Sequence, residues 1–101
     1  MILYIAGKIT GDSEYKLKFN AAESYLGTWK GHTVLNPAML PEGLKSYEDY
    51  MAICKKLLEL ADGIVLLEGW KESAGASREL DWAREWGKKV YEGIESVPFT
   101  D

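Results

Sequence analysis

Apolar positions along this chain fall into two patterns, short continuous runs and longer stretches with helical spacing. Ile2 to Ala6 is a continuous apolar run closed by Gly7, the pattern of a strand buried on both faces, as a parallel sheet requires. From Glu14 onward, Tyr15, Phe19, Ala22, Leu26 and Trp29 recur at helical spacing, which predicts an amphipathic helix stopped by Gly31. Thr33 to Leu35 reads as a second short strand, ended by Asn36-Pro37; Pro41 and Gly43 make the next stretch a loop that could cover a ligand. Ser46 can cap the following helix, with Glu48 and Asp49 in its first turn and Tyr47, Tyr50, Met51, Cys54, Leu57, Leu58 and Ala61 as its buried stripe. Gly63 to Leu67 is a third buried strand, a helix is expected from about Ala76 to Trp86, and Lys89 to Tyr91 forms a last strand.

Strands alternating with helices imply right-handed crossovers, hence an α/β three-layer sandwich with a small, mostly parallel sheet of the flavodoxin-like or Rossmann-like kind. With 101 residues, 47% of them apolar, residues 1–101 suit a single domain, and Gly93 and Pro98 predict an irregular tail from about residue 93. Four tryptophans and six tyrosines exceed what a lone small core needs, so some rings are expected to line a pocket or a subunit contact.

Charge and composition remove several function classes. A net charge of -4, with lysines interspersed among acids, lacks the basic excess that binds polymeric nucleic acid. One cysteine, Cys54, excludes an intrachain disulfide, and with His32 alone beside it there is no zinc-ligand spacing, so neither a metal nor another cofactor is expected. The opening apolar run is short and has no basic leader, reading as a strand rather than a signal peptide; no run is long enough for a membrane span. The chain reads as cytoplasmic.

Ligands of open parallel sheets gather at the carboxyl ends of the strands, where loops and helix starts present free backbone donors. The first such loop is Gly7-Lys8-Ile9-Thr10-Gly11, which lacks the spacing of a dinucleotide or Walker motif. It fits either a plain tight turn or an anion contact through Lys8, Thr10 and the amides at Gly11. After the third strand, Ser73-Ala74-Gly75-Ala76 leads into a helix on which Ala76, Leu80, Trp82, Ala83 and Trp86 form one apolar arc, with Glu79 near its middle. A carboxylate aimed at packing rather than water is costly unless paired or functional. Two readings fit: a functional acid, or a helix-start acid bonded to a neighbour such as Tyr4.

Taken in order, Tyr4-Ile5-Ala6-Gly7, Asn36-Pro37-Ala38, Tyr50-Met51, Asp62-Gly63-Ile64, Gly69-Trp70 and Ser73-Ala74-Gly75-Ala76 through Glu79 resemble the nucleoside 2'-deoxyribosyltransferase-like superfamily, above all its short, often phage-borne branch of unassigned function. The resemblance covers most of the chain to about Tyr91. It implies that Glu79 attacks the anomeric carbon of a sugar, releasing the base and leaving a glycosyl ester that water or a second base resolves, with Tyr4 orienting Glu79. It implies that Ser73 stands where free-nucleoside transferases place an aspartate for the sugar 5'-hydroxyl, as in nucleoside-monophosphate N-glycosidases, with Lys8, Thr10 and Gly11 completing a phosphate site; plain helix capping is the other reading of Ser73. The superfamily also carries an aspartate on the helix before strand three that assists the departing base. Here Cys54 stands near that register, with Asp49 and Glu59 as neighbours, and Cys54 itself reads as a small core residue.

Trp70 either stacks on a nucleobase or packs structurally, while Asp62 reads as a turn residue and His32 as surface or core filling. Trp82 and Trp86 are candidate anchors of a homodimer contact, or of a higher assembly. The expected function is hydrolysis or transfer at a nucleoside or nucleotide N-glycosidic bond: a nucleoside 5'-monophosphate N-glycosidase or a nucleoside 2'-deoxyribosyltransferase, with Gly7, Gly75, Trp70 and Ser73 among the substrate contacts. A non-catalytic nucleotide-binding module and a purely structural interaction domain are the alternatives.

Overall fold

The computed structural model describes residues 1–100. Four strands, β1 (Ile2–Ala6), β2 (Thr33–Leu35), β3 (Gly63–Leu66) and β4 (Lys89–Glu92), form one all-parallel sheet in the order β2-β1-β3-β4. Three helices connect them: α1 (Tyr15–Ser24), α2 (Tyr47–Leu60) and α3 (Ala74–Glu85). This is the expected three-layer α/β sandwich with a flavodoxin-like strand order.

Strand β1 is central, and its alternation divides the core. Leu3 and Ile5 face Phe19, Ala22 and Leu26 of the first helical segment, together with Val65 and Val97. Tyr4 and Ala6 face Cys54 and Leu58 of α2 and Ala76, Leu80 and Ala83 of α3. Successive strand residues point to opposite faces, so a run apolar at every position is what a strand with helices on both sides needs. The chain leaves β1 toward β2 on one side and returns to β3 on the other, placing a switch point at the carboxyl ends of β1 and β3.

Several boundaries and faces differ from the sequence pattern. Helix α1 opens into a π-helical turn over Tyr25–Trp29, which adds a fraction of a residue per turn; Leu26 stays buried while Trp29 swings out to 65% exposure against Phe99. Tyr47 begins α2 and is exposed rather than part of the buried stripe. Helix α3 starts two residues earlier than the spacing suggests, because the Ser73 hydroxyl accepts the Ala76 amide at 3.1 Å.

The tail after β4 is irregular apart from a 3-10 turn at Ile94–Ser96, yet it is firmly docked. Val97 is buried against the α1 side, which contributes about 1.5–2 kcal/mol for such a side chain. Lys30 is only 4% exposed, and its ammonium donates to the carbonyls of Ile94, Glu95 and Val97 between the rings of Tyr25 and Phe99. His32 is also buried, its ring nitrogens on the Met1 amine at 3.0 Å and the Pro98 carbonyl at 2.6 Å. Lys30→Met strips these carbonyls of their donor, and about 3 kcal/mol of stability should be lost. Urea unfolding checks this, and an unchanged midpoint would show that the tail contributes little.

Candidate active site

Ala76, Glu79, Leu80 and Ala83 are the buried residues of α3. The helical arc therefore carries Glu79 onto the sheet, where it is 5% exposed and meets Tyr4 from β1. The Tyr4 hydroxyl donates to a Glu79 carboxylate oxygen, joining positions 75 residues apart. Burial dominates the Glu79 environment, pushing its carboxyl from 4.5 to about 7 against the opposing pull of the Tyr4 hydrogen bond and the Arg78 charge. The Tyr4 phenol is driven well above its ordinary 10, first by burial and then by the charge of Glu79 and by Cys54. Burial likewise raises the Cys54 thiol to about 11 and the half-buried Tyr50 phenol above 10. In this cluster Glu79 is the group that changes charge near neutrality.

Above the pair opens a recess of about 730 Å³ at the switch point of the sheet, within the size range of small-molecule sites. Tyr4 and Glu79 line its base; Gly7, Ile9 and Thr10 contribute from the loop after β1, and Ser73, Gly75 and Ala76 from the start of α3. Two glycines line this recess. A Cβ at Gly7 would lie 3.1 Å from Leu67 Cβ and 3.3 Å from the Phe19 ring, so a side chain there is tight and would have to push these neighbours back by a few tenths of an ångström. A Cβ at Gly75 would lie 2.9 Å from the Tyr47 hydroxyl, the free end of an exposed side chain that can move aside, and 3.5 Å from Met51 Sδ. Arg78 and Glu48 tie α3 to α2 at 3.1 Å.

The structure thus brings Tyr4, Gly7, Thr10, Ser73, Gly75 and Glu79 together around one recess. Lys8 and Gly11 stand off it. The Lys8 ammonium pairs with Glu72 at 3.4 Å, and Gly11 occupies a left-handed turn at φ +83°. Trp70 lies in an adjoining recess of about 590 Å³ with Gly69 and Gly93, and packs its inner edge on the α2–α3 side of the core. Cys54 is buried on α2 and Asp62 accepts the Ile2 amide at 2.8 Å. Tyr15, Leu40, Pro41, Tyr47, Tyr50 and Met51 also line the main recess. The Pro41-Glu42-Gly43 loop was the available signal for that wall, since it follows the carboxyl end of β2. Among the described residues no group of three or more His, Cys, Asp or Glu could hold a metal ion, and no helix is long and apolar enough to cross a membrane.

A family model described as "Domain of unknown function (DUF4406)" matches residues 1–92. No curated protein matches the sequence. The solved structure of the 2-desoxiribosyltransferase from Leishmania mexicana is similar at a TM-score of 0.69 and 17% identity, over 90% of this chain. The chain spans 62% of that structure's length, and the likeness is one of fold.

Proposed function

The chain belongs to the DUF4406 family, and we propose that it breaks the N-glycosidic bond of a nucleoside or nucleotide, with Glu79 attacking the anomeric carbon. The observation that carries this reading is a carboxylate, 5% exposed, at the base of a ligand-sized recess and bonded to a buried phenol. A fold shared with a protein named as a desoxiribosyltransferase supports it.

As the base departs, positive charge develops on the sugar, and a desolvated carboxylate stabilises that charge far better than one in water. The same oxygen then forms a glycosyl ester, which water or a second base resolves. Tyr4 holds the reacting carboxylate in place through its hydrogen bond. We favour hydrolysis and a 5'-monophosphate substrate, because Ser73 itself adds no negative charge and lines the recess with Thr10, while Lys8, off the recess, pairs with Glu72 at its rim. A phosphate there has to draw Lys8 away from Glu72. Ser73→Ala should raise KM for monophosphates about tenfold and leave free nucleosides unchanged, beyond a cap loss of about 1 kcal/mol in stability. Equal effects on both substrate sets would leave Ser73 as a cap alone.

Chromatography of ribo- and deoxyribonucleosides and their monophosphates, incubated with the protein, tests the activity. Absence of base release from all of them would reject it. A nucleotide-sensing or sequestering module is the second reading: the resemblance implies an aspartate near the register of Cys54 to assist the leaving base, and Cys54 is a buried thiol on α2. Calorimetric binding without turnover selects it. Trp82 and Trp86 stack at 6.3 Å with half-buried rings, and we propose this surface as the contact of a homodimer. Only monomer in sedimentation at micromolar concentration would remove that part.

A further inference from the structure

Three carboxylates, Glu42, Glu72 and Glu79, line the main recess against one cation, Arg78, which is held by Glu48 at 3.1 Å. Glu42 and Glu72 are satisfied at the exposed rim, by Lys16 at 3.3 Å and Lys8 at 3.4 Å. Glu79, the buried one, has a phenol for its partner and forms no ion pair among the described residues. The rings of Tyr15, Phe19, Tyr47 and Tyr50 line the same space. Aromatic faces and an unneutralised carboxylate attract the same kind of guest, a cation.

The proton supply points the same way. A neutral base expelled from a sugar leaves as an anion unless it is handed a proton, and general acids supply that proton in most such reactions. The donors beside Glu79 are the Tyr4 and Tyr50 phenols and the Cys54 thiol, all pushed by burial toward keeping their protons. Among the described residues the recess is lined by no histidine or aspartate. His32 is spent on the Met1 amine and the Pro98 carbonyl.

We propose that the substrate is a glycoside whose base carries a positive charge, a pyridinium or N-alkylated purine nucleoside or nucleotide. This rests on the glycosidic reading above. In the first step a Glu79 oxygen bonds to the anomeric carbon, the bond from that carbon to the base nitrogen breaks, and its electron pair cancels the charge of the base. No proton moves. In the second step water oxygen bonds to the anomeric carbon, the ester bond breaks with its pair returning to Glu79, and one proton goes to solvent.

The test compares 7-methylguanosine with guanosine, in ribo- and 2'-deoxyribo- forms and with and without a 5'-phosphate, following base release over that of Glu79→Gln. An enzyme that protonates the leaving base flattens the difference between the charged and uncharged partner; one that does not protonate it passes the difference on. The charged member should be cleaved with a kcat/KM at least about 100-fold higher, the lower end of what a general acid contributes. A ratio below about 10 would overturn the charged-substrate inference while leaving glycosidic cleavage by Glu79 standing. Release from neither member of any pair would reject the glycosidic reading itself, and the inference with it.

Discussion

Glu79→Gln should abolish base release, by at least about 1,000-fold in kcat, and at the same time make the protein more stable above neutral pH. The amide keeps an acceptor for the Tyr4 hydroxyl but has no anionic oxygen with which to bond the sugar. The stability gain follows from linkage. Below about pH 4.5 the carboxyl is protonated in both the folded and the unfolded chain, so its burial costs little. Between 4.5 and about 7 the unfolded chain releases the proton while the folded one holds it, and stability falls as pH rises through that window. Above it the ionised, buried acid costs up to about 3 kcal/mol, which the neutral amide avoids. Urea unfolding of both proteins at pH 4 and pH 8 measures this. Equal stability at pH 8 would mean that Glu79 is not held in a dry environment, and turnover by the variant would remove it as nucleophile.

Tyr4→Phe should shift the pH profile rather than scale it. In the intact protein kcat/KM is expected to rise with pH through about 7 as Glu79 ionises. The Tyr4 hydrogen bond is the largest influence favouring the charged carboxylate. A bond to a charged group is worth about 1.5–3 kcal/mol, so its loss should carry the acidic limb upward by about 1–2 pH units. Activity at pH 7 should then fall about tenfold or more, with partial recovery at pH 9. A uniform loss across the whole range would assign Tyr4 to packing alone.

What the sequence reveals here is what local periodicity encodes. Alternation in β1 sends Tyr4 to one face of the sheet, and the arc of α3 sends Glu79 inward, so the pair is readable although 75 positions separate its members. Both signals are strong because each breaks a rule: a polar tip inside a buried strand, and an acid within an apolar arc. The wall made by Tyr15, Tyr50 and Met51 is less legible, since those residues fit an ordinary helix stripe and line the recess together with the loop from Leu40 to Ser46, which is distant from Tyr15 in sequence. Trp29 misleads because a π-helical turn changes the phase of α1, which residue spacing does not announce. Lys30, flanked by Trp29 and Gly31, carries no local signal of burial, and its carbonyl partners come from 64 to 67 positions away. No window around residue 30 contains that information.

The most direct measurement is capture of the sugar on the protein. A 2-fluoro analogue of whichever nucleoside is cleaved slows resolution of the ester, because the fluorine destabilises the positively charged transition state. Intact mass after quenching should show one added sugar, and peptide mapping should place it on Glu79, with none on Glu79→Gln. Base released in an amount equal to the protein, accompanied by a sugar on a different residue or by no adduct, would contradict the role given to this carboxylate.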